Sequence, residues 1–148
     1  MILFVSPKID GMKTPQERLG IGYISSYLEE NGYLSSIINL SYESMNDDEF
    51  ISHVIYNRYK VVGFSIKQIS QLEFLKRVGS KLKQLGIIII VGGYIPTLSY
   101  KFVLRNYPFI DYLIRGEAEE SMAYFAKHFN DSDLKLCPGL TYVEDGKI

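Results

Sequence analysis

The residues able to do chemistry in this chain are few, and most sit where predicted strands end. Val91-Gly92-Gly93 closes an unbroken aliphatic run that begins at Ile87, and Pro96-Thr97 follows at once. Ser65 ends Lys60-Val-Val-Gly-Phe-Ser65, and Gly116-Glu117 follows Asp111-Tyr-Leu-Ile-Arg115. Bare glycine backbone admits a ligand to close approach, small hydroxyls donate and accept hydrogen bonds, and a carboxylate accepts them. That is the chemistry of holding a ligand. Covalent catalysis finds little support, because the one thiol, Cys137, lies beside Pro138 outside the predicted sheet, and His53 and His128 fall on helices elsewhere. Cys137 reads as a packing or surface residue. A single cysteine also excludes an internal disulfide and any cluster ligated by several cysteines of this chain.

The elements that position these residues alternate. Residues 2–6 form an apolar strand, and Lys8 to Pro15 form a loop. Thr14 and Pro15 suit the start of a helix running to about Asn31, with Ile21, Ile24 and Leu28 on one face and Gly32 as its stop. Tyr33 to Leu40 reads as the second strand. Ser44 or Asn46 can cap a helix that begins Asp47-Asp-Glu49 and buries Phe50, Ile51, Val54 and Ile55. After the strand ending at Ser65, a helix over 70–85 places Leu72, Leu75, Leu82 and Leu85 inward. Thr97 is expected to cap a short helix through about Arg105. Gly116-Glu117 opens the last helix, whose Ala118, Met122, Phe125, Ala126 and Phe129 share a face.

Aliphatic runs without alternation belong to strands covered on both faces, as in parallel sheets. Five strand–helix alternations with short links predict an α/β, doubly wound, flavodoxin-like parallel sheet of order 2-1-3-4-5. In that order the strands ending at Ser6, Ser65 and Val91 are neighbours, and the loops after them form one shelf. Residues 1–135 make this domain. Residues 136–148, with a hairpin signal at Asp145-Gly146 and almost no second arm, read as a short β extension or the start of a linker to a downstream domain.

Composition excludes several classes. With 148 residues, 47% hydrophobic and 22% charged, the chain can bury a core and is not disordered. A net charge of -1 offers no surface for nucleic acid. No apolar run approaches the roughly 20 residues a membrane span needs, and the opening Met-Ile-Leu-Phe-Val-Ser lacks the basic start of a signal peptide, so a cytoplasmic setting is expected. Nucleotide fingerprints fail too. No G-x-G-x-x-G follows the first strand and no G-x-x-x-x-G-K-[ST] occurs. Gly20 and Gly22 fall within a predicted helix, where packing is their expected use. A flavin phosphate loop wants hydroxyls that Lys8 to Pro15 lacks except at Thr14, and a receiver domain wants an aspartate where Ser65 stands.

The order Leu19-Gly-Ile-Gly-Tyr-Ile-Ser-Ser-Tyr-Leu-Glu-Glu-Asn-Gly32, Val62-Gly-Phe-Ser65, Val91-Gly-Gly-x-x-Pro-Thr97, Asp111-Tyr-Leu-Ile-Arg-Gly-Glu-x-Glu119 and Gly139-Leu-Thr-Tyr-x-x-Asp-Gly146 resembles the N-terminal cobalamin-binding domain of B12-dependent radical S-adenosylmethionine enzymes. The resemblance covers essentially the whole chain. It implies cobalamin with its corrin over the C-terminal edge of the sheet and its nucleotide tail beside the strands. It also implies Gly20, Ile21, Ser65, Gly92, Gly93, Pro96, Thr97, Gly116 and Glu117 as cofactor-binding residues. Helix amides opened by Pro96 and Thr97 are expected to meet ligand oxygens. By spacing alone, Ser65 and Thr97 serve equally as caps and the glycines as turns.

Two departures matter. Where many cobalamin domains carry Asp-x-His-x-x-Gly, this chain has Asp10-Gly-Met-Lys-Thr14, so cobalamin without a histidine axial ligand from this chain is expected. The family's Cys-x-x-x-Cys-x-x-Cys has no match. A 4Fe–4S cluster and S-adenosylmethionine would therefore belong to a missing catalytic domain, the partner of this one, in a parent enzyme such as a methyltransferase. The competing readings are a corrinoid-free flavodoxin-like interaction domain, for which 12 tyrosines could furnish a contact surface, and a nucleotide- or flavin-binding domain.

Overall fold

A computed structural model describes residues 1–11 and 19–148, so the expected cap at Thr14 and first-turn Pro15 lie outside the described residues. The elements alternate as β1 (Ile2–Ser6), α1 (Leu19–Glu30), β2 (Ser35–Asn39), α2 (Asp47–Tyr56), β3 (Val61–Ser65), α3 (Gln71–Gln84), β4 (Ile88–Gly92), α4 (Tyr94–Asn106), β5 (Tyr112–Ile114) and α5 (Glu119–His128). A short 3-10 turn over Ser132–Leu136 leads to β6 (Leu140–Thr141). The sheet runs β2-β1-β3-β4-β5-β6, parallel throughout except for β6, which is antiparallel to β5. The expected flavodoxin-like order is therefore present, with one added edge strand. Among the described residues no helix is long and apolar enough to cross a membrane.

Alternate strand residues feed two separate cores, because successive side chains point to opposite faces. Leu3, Val5, Val62, Phe64, Ile89, Val91 and Leu113 pack with α2, α3 and α4 into the larger cluster. Ile2, Phe4, Val61, Ile90 and Ile114 pack with Ile21 and Leu28 of α1 and Met122 and Phe125 of α5 into the smaller one.

Local chemistry sets the helix ends. Asn46 caps α2 through its side-chain oxygen, which accepts from the amides of Asp48 and Glu49, and Glu49 returns a bond to the Asn46 amide at 2.8 Å. Gly32, at φ +83°, stops α1 with the paired bonds Gly32 N to Glu29 O and Tyr33 N to Leu28 O. Asp145 and Gly146 both have positive φ and close the final turn, with Glu144 bridged to Lys147.

Several expected details differ. Leu85 is 50% exposed, because α3 ends at Gln84 and the buried stripe uses Val78 and Gly79 instead. Ile55 is 52% exposed at the flank of α2. Helix α4 starts at Tyr94, three residues before Thr97, because Gly93 occupies the N-cap position; Pro96 fits in the first turn, where no intrahelical N–H is needed. Helix α5 starts at Glu119, since Gly116 has φ +82° and cannot be helical.

Candidate functional site: a groove over the C-terminal edge

A groove of about 520 Å³ opens where β1, β3, β4 and β5 end, on the face covered by α1 and α5. Its floor is Phe4, Gly63, Ile90 and Ile114. Phe4 pairs with Gly63 and Gly63 with Ile90 in adjacent ladders, so one row of the sheet alternates a ring, a bare backbone and an aliphatic chain. One wall is Gly20, Ile21 and Ile24 of α1, and the other is Ala118, Glu119 and Met122 of α5. Ser65, Lys67, Gly92, Gly93, Tyr94, Thr97, Leu98, Gly116 and Glu117 form the rim. An apolar interior with polar groups only near its mouth suits a flat, largely apolar group entering from the strand ends.

All the residues anticipated from the sequence line this groove except Pro96, which is buried in the first turn of α4. Gly20 and Gly22 were expected to pack, yet a Cβ at either would meet nothing within 4 Å; Gly20 is open surface of the groove wall. The two rim glycines differ. A Cβ on Gly92 would meet only the Ile114 carbonyl, at an ordinary 3.6 Å. A Cβ on Gly93 would stand 2.8 Å from the Ile66 carbonyl oxygen and 3.1 Å from its nitrogen. Gly93 is thus committed to the chain's own backbone, and Gly92 faces the groove.

The helix start after Gly93 bears on the expected helix amides. The Ile95 amide donates to Ile66 O at 3.1 Å, the Thr97 amide donates to Gly93 O at 3.1 Å, and Pro96 has none, so these residues leave no free amide for a ligand oxygen. Thr97 does not cap the helix. Its Oγ1 accepts from the Gly116 amide at 3.1 Å and ties the β4 exit to the β5 exit. Its own hydroxyl proton remains available to donate.

The floor residues Phe4, Ile90 and Ile114, with Ile24 and Met122 from the walls, were not singled out, because their types and spacing are those of ordinary core. A second hollow, about 700 Å³, lies by the β2 exit, where Arg77 Nε donates to Asp47 at 2.7 Å.

The remaining reactive groups are structural. The Cys137 thiol is buried and donates to Ser121 O at 3.3 Å, and burial pushes its pKa up to about 11. At pH 8 the folded protein is expected to react slowly with a thiol-disulfide reagent such as DTNB and to react at once in denaturant. Since the unfolded thiol titrates near 9, its contribution to stability is complete below that pH and declines as pH rises toward 11. His53 stacks on Tyr59 with ring centroids 6.0 Å apart, and His128 stacks on Tyr124 at 4.4 Å. Neither lines the groove. His128, Asp131 and Asp133 lie together, but Asp131 accepts from the Asp133 amide as a cap and pairs with His128 Nδ1 at 3.1 Å.

Sheet and groove together define a flavodoxin-like ligand-binding domain. The family profile described as the B12 binding domain matches residues 12–126, most of the chain, which therefore belongs to that family. Over 146 residues it is 26% identical to the anaerobic magnesium-protoporphyrin IX monomethyl ester cyclase of Synechocystis sp. (strain ATCC 27184 / PCC 6803 / Kazusa), covering 93% of this chain and 29% of that protein. The enzyme of the same name from Rubrivivax gelatinosus is 24% identical over 140 residues, covering 86% and 24%. Among solved structures, the cobalamin-dependent S-adenosylmethionine radical enzyme OxsB, with aqua-cobalamin and S-adenosylmethionine bound, superimposes with a TM-score of 0.82 at 22% identity, over 99% of this chain and 21% of that one. The radical S-adenosylmethionine methyltransferase TsrM from Kitasatospora setae gives 0.81 at 14% identity, over 97% and 29%. The fold is thus shared with these enzymes, and the chain spans under a third of the length of each.

Proposed function

We propose that the groove takes the nucleotide tail of cobalamin, with the corrin over the strand ends, and that the domain presents this cofactor to a radical S-adenosylmethionine domain of the same protein. The observation that carries the reading is the convergence of Gly20, Ile21, Ser65, Gly92, Thr97, Gly116 and Glu117 on one apolar slot. The fit follows from the lining. The bare backbone of Gly92 leaves room for a planar base against the sheet, beside the Phe4 ring that lies over Gly63, and Ile24, Ile90 and Met122 exclude water from it. Ser65 and the free Thr97 hydroxyl proton bond polar groups of the tail at the mouth, and Glu117 accepts from hydroxyl or amide groups at the rim. Bound there, cobalamin supplies a cobalt centre able to carry a methyl group or an electron. The sequence between β1 and α1 holds no histidine, so this chain would offer no imidazole from that loop as a ligand to the cobalt. In this reading 1–135 forms the binding domain and 136–148 leads toward the rest of the parent enzyme, in a cytoplasmic setting. The partner domain supplies a 4Fe–4S cluster and S-adenosylmethionine.

The test is retention of hydroxocobalamin after desalting, followed by its visible spectrum. A corrinoid spectrum that co-elutes with the protein is expected. No retention in any redox state, with the remainder of the parent chain also present, would overturn the reading. The electron paramagnetic resonance spectrum of the reduced complex should lack nitrogen coupling from a protein imidazole, and His53→Ala and His128→Ala should leave it unchanged.

A further inference from the structure

Gln71, the first residue of α3, is 0% exposed. An amide side chain is costly to bury unless both its ends are paired. Here they are, and the partners lie on two different loops. Nε2 donates to the Pro7 carbonyl at 2.5 Å, just past β1, and Oε1 accepts from the amides of Lys67 at 2.7 Å and Gln68 at 3.0 Å, just past β3. The bonds continue across the sheet edge. Ile66 donates to Gly92 O at 2.8 Å, Ile95 donates to Ile66 O, and Gly116 donates to Thr97 Oγ1. The exits of β1, β3, β4 and β5 are thus laced into one rim, and Gln71 is the side chain that brings the β1 exit into it. Leucine would fill the same volume and make none of these bonds.

We infer that Gln71 is a positioning residue that couples the Pro7–Gly11 segment to the Ser65–Lys67 lip of the groove, so that a ligand seated in the groove and that segment are felt by one another. This rests on the corrinoid reading of the groove. Two variants separate the bonds. Gln71→Met keeps the volume and loses all three; Gln71→Glu still accepts from Lys67 and Gln68 but cannot donate to Pro7 when ionised. Val54→Ala, in the larger core that α2 and α3 share and away from the groove, serves as a control for lost stability.

Gln71→Met is expected to weaken hydroxocobalamin binding about tenfold, as for a loss of paired buried amides, with Gln71→Glu between it and the wild type. In the wild type, ligand addition should shift the amide resonances of Lys8 to Gly11, and in both variants that response should be lost. Binding within twofold of wild type in Gln71→Met, or an undiminished response at Lys8 to Gly11, would overturn the inference. So would an equal loss of affinity in Val54→Ala. If the wild type retains no corrinoid, the groove reading fails, and the lacing is judged by amide exchange at Lys67 and Gln68. Faster exchange in Gln71→Met than in Gln71→Glu supports it, and equal rates refute it.

Discussion

Gly92→Leu should give a folded domain that no longer retains cobalamin. Gly92 ends β4 directly opposite Ser65, its backbone is not in the left-handed region, and a Cβ there makes only ordinary contact with the Ile114 carbonyl. The new side chain therefore costs the fold little and stands in the groove, where it competes with the ligand for a space of about 520 Å³. Overfilling a shaped apolar slot is expected to weaken hydroxocobalamin binding by at least about 100-fold, equivalent to ~2.7 kcal/mol. Equilibrium dialysis checks the affinity, and a thermal melt followed by circular dichroism should show Tm within a few degrees of wild type. A folded Gly92→Leu variant that binds as wild type would place the tail elsewhere.

The neighbouring glycine should behave in the opposite way. Gly93 has φ +100° and ψ -171°, a region essentially closed to residues with a side chain. An added Cβ would also meet the Ile66 backbone at 2.8 Å. Ile66 cannot retreat cheaply, since its amide donates to Gly92 and its carbonyl accepts from Ile95. Gly93→Ala is thus expected to cost on the order of 3 kcal/mol or more and to lower Tm by about 10 °C. Urea denaturation measures the first quantity and a thermal melt the second. A variant as stable as wild type would show that the β4–α4 turn can relax in a way these contacts do not suggest.

The contrast between the two glycines marks how far a sequence can be read. Aliphatic runs with polar ends sufficed for the strand order, because strands buried on both faces have no other pattern, and the rim followed because Ser65, Gly92 and Gly116 must lie where those strands stop. Spacing does not say which partner a backbone meets. Gly92 and Gly93 therefore looked alike, and Thr97 looked like a cap when its hydroxyl bonds the Gly116 amide. The groove floor was illegible for a different reason: Phe4, Ile90 and Ile114 are the residues any core would have, and only the structure shows the Phe4 ring lying over Gly63 with an open slot beside it. Gln71 was hidden as well, since a glutamine at a helix start reads as a solvent-facing residue until its partner Pro7, 64 residues away, is seen.

Among the described residues the sheet is finished on one side only. At one end β6, two residues long and antiparallel, covers β5 and leaves almost no ladder to extend. At the other, among the described residues, β2 pairs in the sheet with β1 alone, carries no charged residue along it and has Ile37 41% exposed. Unpaired, uncharged edges invite other strands. Growth of a fibre by edge addition needs two such edges, and the described residues offer one, so strand-to-strand self-association through them would stop at a pair.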